Sequence, residues 1–174
     1  MKTIRSADVL QRALQTIATD PRQRTLRKLR EELRSSDRDR RVTALVRIRR
    51  QIAEGGLRAG YIDLACRHIE ERDSRCRWQA TIVIGEFIEV VPERVWPIAL
   101  KLANAANPDI RMASTTVLLE HLLEYHPATM VPRFQAELAM GTRRFRKAVA
   151  LCANFGDSNS RASIQQVIDA ARAV

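Results

Sequence analysis

Apolar positions recur at helical spacing along the whole chain. Val9, Leu10, Leu14 and Ile17 form one set, and Leu26, Leu29 and Leu33 a second. Val42, Leu45, Val46, Ile48 and Ile52 form a third. Residues three and four apart share a helix face, so each set predicts an amphipathic helix. Caps and breakers lie between the sets: Ser6, Asp20-Pro21, Ser35-Ser36-Asp37 and Gly55-Gly56. A polar side chain before a helix caps its free N–H groups, proline fits the first helical position, and glycine ends a helix. On these signals helices are expected over 6–19, 21–34, 38–53, 57–71, 74–91, 94–105, 110–125, 129–140, 143–155 and 160–173. No segment alternates with period two, so no strand is predicted and the chain reads as all-α. Helix 74–91 is apolar over most of its circumference, which predicts neighbours on several sides.

The pattern repeats. Residues 73–92 read DSRCRWQATIVIGEFIEVVP and residues 107–127 read NPDIRMASTTVLLEHLLEYHP. A shift of 34 positions places Arg77 on Arg111, Thr81 on Thr115, Val83 on Val117 and Glu86 on Glu120. Pro92 and Pro127 end the two copies, each with a second proline five residues on, Pro97 and Pro132. An earlier copy places Asp37, Arg41, Ala44, Val46 and Ile48 36 positions before Asp73, Arg77, Ala80, Ile82 and Ile84. A weaker fourth copy puts Lys147 on Arg111 and Ala150 on Ser114. A helical unit of about 33–37 residues signals stacked helical hairpins.

A first helix with an early proline, a turn with Asp, and a second helix opening on Val-Arg and alanines is the HEAT-repeat pattern. VWPIALKLANAANPDIRMAS at 95–114 resembles it through Pro97, Asp109, Ile110-Arg111, Ala113 and Ser114. Asp73, Arg77 and Ala80 match in part, as do Arg41 and Ala44; the fourth copy lacks the turn aspartate. The resemblance implies a single domain over 1–174. Its form would be a short α-solenoid of about four HEAT-like hairpins over 22–156, with capping helices at 6–19 and 160–173. It further implies a ladder between adjacent repeats in which Asp37, Asp73 and Asp109 meet Arg41, Arg77 and Arg111. The second helices would line a concave face. HEAT-like folds include alkylpurine DNA glycosylases, but here Asp73 and Asp109 lie in turns and Trp78 and Trp96 read as core wedges. Glycosylase chemistry is therefore not expected.

Composition adds limits. The chain has 174 residues, enough for one domain with a continuous core, and is 45% hydrophobic but only 5% aromatic. No apolar run approaches the about 18 residues of a membrane span. The N-terminus, MKTIRSADVLQRAL, lacks a signal-like apolar stretch, so a cytoplasmic protein is expected. Cys66, Cys76 and Cys152 show no ligand spacing and read as buried free thiols. Residues 1–50 hold 15 Lys and Arg against 6 Asp and Glu, whereas 51–174 hold 15 against 14, so the net charge of +10 sits mostly in the first third.

Catalytic motifs are missing: there is no GxSxG, HExxH or Walker glycine loop. His121 and Glu124 lie three apart on a helix, but one such pair is half a metal site, so neither metal nor cofactor is expected. His68 beside Arg67 and Glu70 reads as a surface histidine. Glu86, Glu89, Glu120 and Glu124 read as the solvent side of two second helices. The leading expectation is a non-enzymatic module or scaffold that binds another protein through the concave face, with Arg47, Arg50, Glu86, Glu89, Glu120, His121 and Glu124 as contacts. The alternative is nucleic-acid or other polyanion binding through Arg24, Arg27, Lys28, Arg30, Arg40, Arg47 and Arg50. Along the predicted groove the charge runs basic, acidic, acidic, basic, which opposes a nucleic acid lying along its whole length.

Overall fold

A computed structural model describes residues 21–56 and 59–173, so the capping helix expected at 6–19 lies outside the described residues. All regular structure among the described residues is helical. In chain order the elements are α1 (Pro21–Leu33), α2 (Arg38–Ala53), α3 (Ala59–Cys66), α4 (Ser74–Gly85) and α5 (Pro92–Ala103). Then α6 (Pro108–Ala113) runs without a break through a π-helical segment (Ser114–Leu119) into α7 (Glu120–Tyr125). Three more complete the order: α8 (Pro127–Met140), α9 (Arg143–Ala150) and α10 (Arg161–Arg172). No described helix is long and apolar enough to cross a membrane.

Helices pair with their neighbours and also with the next helix but one. α1 packs on α2 and α3 on α4, while α5 covers α6 and the π segment. A second row of contacts joins α2 to α4, α4 to the π segment, and the π segment to α9. α10 closes against α8 and α9. Ala44, Ala80, Ala113 and Ser114 are almost fully buried in this row. Small side chains there let helix axes approach closely. Gly85 serves the same end, because a Cβ on it would stand 3.0 Å from Cγ1 of Val117. One core runs through the stack, with Tyr61, Phe87, Phe134 and Phe145 its largest enclosed side chains.

Pro92, Pro108 and Pro127 each open a helix, where the missing N–H costs nothing. The helices therefore start at 92, 108 and 127 rather than at the expected 94, 110 and 129. The preceding residues of two of them, Val91 and His126, adopt nearly the same non-helical conformation, with φ of −137° and −132° and ψ of 56° and 47°. Three expected helices end early. After Cys66, Gly85 and Ala150 the backbone tightens into bonds of the three-residue kind, such as His68 N–H to Ala65 O, Ile88 N–H to Gly85 O and Cys152 N–H to Val149 O.

The turns between paired helices reuse one device. Asp37, Asp73, Asn107 and Thr142 cap α2, α4, α6 and α9 by accepting backbone N–H groups. Arg41, Arg77 and Arg111 then fold back onto the turn. Arg41 Nη1 donates to Ser35 O and Ser36 O at 2.8 and 2.9 Å. Arg77 Nη1 donates to Glu71 O and Arg72 O at 2.7 and 2.6 Å. Arg111 Nη1 donates to Ala105 O and Ala106 O at 2.8 and 2.7 Å. The rungs between neighbouring turns differ from the expected ones. Arg77 does reach Asp109, at 3.1 Å, but Arg41 meets Glu71 rather than Asp73. Asp109 is not the cap of its turn, because the register places Asn107 where Asp73 stands. Lys147 carries no such fold-back; instead Arg146 Nη2 donates to Leu138 O at 2.7 Å.

Candidate functional site

The residues expected to share one groove divide into separate settings. Arg47 is half-buried and donates twice to Glu32, at 2.8 and 2.7 Å, clamping α2 to α1. Arg50 is exposed and pairs with Glu54 one turn along its own helix at 2.9 Å. Glu86 is met by Arg49, at 3.0 Å, a residue absent from the expected set. The basic and acidic stripes of the sequence thus neutralise each other between adjacent helices.

Glu120 overturns its expectation outright. It is 7% exposed and accepts the Ala153 N–H at 2.8 Å, so it caps the segment after α9 instead of facing solvent. Burial pushes its carboxyl above the usual carboxylate range, against the lowering effect of the Ala153 hydrogen bond. The cause lies one turn upstream. Ser114, Thr115 and Thr116 direct their hydroxyls to Ala99 O, Arg111 O and Met112 O. The Thr115 and Thr116 hydroxyls compete for carbonyls of their own helix while Ser114 ties it to α5, and the π-helical turn adds a residue that rotates the helix downstream of it. In α4 the aligned positions are Ala80, Thr81 and Ile82, and no π segment forms there.

His68 is also buried rather than on the surface, with Nδ1 against the Glu71 carboxylate. Burial alone would raise the Glu71 carboxyl, but His68 and Arg41 outweigh it and hold the group below the usual range. Cys76 and Cys152 are buried as expected, while Cys66 is only half-buried.

His121 and Glu124 do come together with exposed neighbours. Nδ1 of His121 lies 2.7 Å from a Glu124 carboxylate oxygen. The imidazole stacks on Phe155, with centroids 6.2 Å apart and planes inclined by 26°, and also touches Tyr125 at 6.0 Å. His126 Nε2 donates to Ile88 O at 2.9 Å, which binds the end of α7 to the turn after α4, where Glu89 and Val90 follow Ile88. The nearby Glu124 carboxylate, then partial burial, then Glu89 push the Tyr125 hydroxyl up. Tyr125 and Phe155, joined through His121, are 49% and 52% exposed, and Val90 is 62% exposed. Glu89 is exposed and carries no ion pair among the described residues. The edge therefore combines open aromatic faces with two carboxylates. Val90, Tyr125 and Phe155 were missed because each sits in an apolar helical pattern that reads as core; their place at helix ends was the available signal.

Of the cations in the alternative set, Arg27 pairs with Glu31 at 3.1 Å, and Arg47 and Arg50 are held by Glu32 and Glu54. Arg24, Lys28, Arg30 and Arg40 are exposed without a carboxylate partner among the described residues. Among the described residues, no three His, Cys, Asp or Glu side chains are grouped as metal ligands would be. No protein-family model, curated protein or solved structure matches the chain.

Proposed function

We propose that the chain is a short α-solenoid of HEAT-like hairpins that serves as a non-enzymatic protein-interaction module. Its docking edge is Glu89, Val90, His121, Glu124, Tyr125 and Phe155, and the partner is a basic peptide segment. The repeated arginine fold-back and the two rows of helix contacts support the solenoid reading. One observation carries the binding reading: exposed aromatics and carboxylates share an edge tied together by the His126 hydrogen bond. Aromatic faces and carboxylates both attract Arg and Lys side chains.

The test uses the protein's own charge. At a net charge of +10, unspecific attraction favours acidic peptides. Fluorescence anisotropy with an Arg/Lys-rich peptide and an acidic peptide of equal length should show the basic peptide bound more tightly. Tyr125→Ala with Phe155→Ala should weaken it at least tenfold, as expected on loss of about 1.4 kcal/mol or more. Preference for the acidic peptide contradicts the proposal.

The second reading is polyanion binding by the N-terminal third. It is favoured by Arg24, Lys28, Arg30 and Arg40 standing exposed without carboxylates among the described residues. It predicts nucleic-acid affinity that falls steeply with salt. A gel shift at two salt concentrations tests it, and no shift at low salt removes it.

A further inference from the structure

A cleft of about 600 Å³ lies between α9 and α10, and none of its lining belongs to the aromatic, acidic edge. Arg143, Arg146, Lys147 and Arg172 surround it, and Ala150 and Ala171 form an apolar floor. Two of the guanidinium groups are fixed across the cleft. Arg146 donates to Leu138 O at 2.7 Å and to Ala170 O at 3.3 Å. Arg172 Nε donates to Ala150 O at 3.0 Å from the opposite wall, and its Nη1 lies 3.6 Å from Asp169. A guanidinium carries five N–H donors, so each keeps donors beyond these contacts. Arg143 and Lys147 are exposed and have no protein partner among the described residues. Four cations thus meet at one cleft, and among the described residues Asp169 is the one carboxylate in contact with any of them.

Held apart by the fold, like charges repel, and an anion entering between them removes that repulsion. The Arg146 guanidinium, held by two carbonyls, is already placed at the cleft, so binding has less to order there. Arginine forks match phosphate oxygens, and lysine adds a point charge. The apolar floor, Ala150 and Ala171, brings no carboxylate to compete with an anion. The volume is within the range of small-ligand pockets and exceeds what a single phosphate fills. We propose that this cleft binds a short phosphate chain, either free or carried by a nucleotide.

Calorimetric titration of the whole protein at low salt tests the proposal, with inorganic tripolyphosphate and ATP as probes. Tripolyphosphate should bind, and Arg143→Gln with Lys147→Gln should weaken it at least tenfold. Neither side chain has a protein partner among the described residues, so the thermal midpoint should not move, and Lys147→Glu alone should weaken binding in the same direction. ATP binding more tightly than tripolyphosphate assigns the source to a nucleotide; equal or weaker binding assigns it to a free phosphate chain. No binding of tripolyphosphate, or binding unchanged by these substitutions, overturns the proposal. So does loss of binding on Arg24→Gln with Lys28→Gln instead.

Discussion

The Glu120 carboxyl sits beneath residues 151–155 and carries a raised pKa because it is buried. Over a range of pH the folded protein therefore keeps a proton there that the unfolded chain has lost. The resulting stability is complete below the ordinary carboxylate pKa and is lost as pH rises through the folded value. Glu120→Gln keeps an acceptor for the Ala153 N–H and removes the ionisation. It should raise the thermal midpoint at neutral pH and leave it unchanged near about pH 4, where the native carboxyl is also protonated. Calorimetry over a pH series checks this, and parallel profiles for the two proteins would refute it. Glu120→Ala should cost about 1 kcal/mol or more near about pH 4, because the hydrogen bond is gone, and less as pH rises. Burial also decides thiol reactivity: it pushes the Cys76 thiol up to about 11 and raises Cys152 and Cys66 as well. A thiol reagent should label Cys66 alone in the native protein and all three cysteines after denaturation. Labelling of Cys152 in the native state would contradict the burial described. At this scale sequence pattern was a poor guide. Glu86 and Glu120 align, yet Glu86 stays exposed beside Arg49 and Glu120 meets a backbone N–H, because a π-helical turn precedes Glu120 and not Glu86.

Elements were far more legible than their ends. Prolines open α5, α6 and α8, and Asn107 caps α6, so the three helices were recognised although each expected start fell two residues late. The ends of α3, α4 and α9 were hidden. Phe87, Ile88, Val90 and Val91 continue an apolar pattern while the backbone beneath them has already tightened. The arginines that join neighbouring turns were visible as repeated letters, but their partners were not. Arg77 touches two carbonyls and Asp109, whereas Arg111 touches two carbonyls only. Arg77→Ala should therefore cost about 3 kcal/mol and Arg111→Ala roughly half of that, taking charge-assisted bonds at about 1.5 kcal/mol or more each and discounting the exposed ones. Urea unfolding of both variants measures the order. A larger loss at Arg111 would mean that the contact between turns contributes nothing.

For the whole molecule, the sequence shows a basic protein with alternating stripes of charge, and the folded chain cancels much of that. Arg47 with Glu32, Arg49 with Glu86 and Arg41 with Glu71 take both signs out of circulation between adjacent helices. Among the described residues, an acidic, aromatic edge near the ends of α4 and α7 and a cationic cleft between α9 and α10 stay open, besides the exposed cations of the N-terminal third. The edge and the cleft differ in sign, as the two proposed ligands, a basic peptide and an anion, would require. Titrating isotope-labelled protein with an Arg/Lys-rich peptide and monitoring backbone amide resonances tests the central claim most directly. Shifts are predicted to concentrate in 86–90, 121–126 and 151–155. Shifts centred on 24–40 or on 143–150 and 161–172, with the edge unchanged, would contradict it.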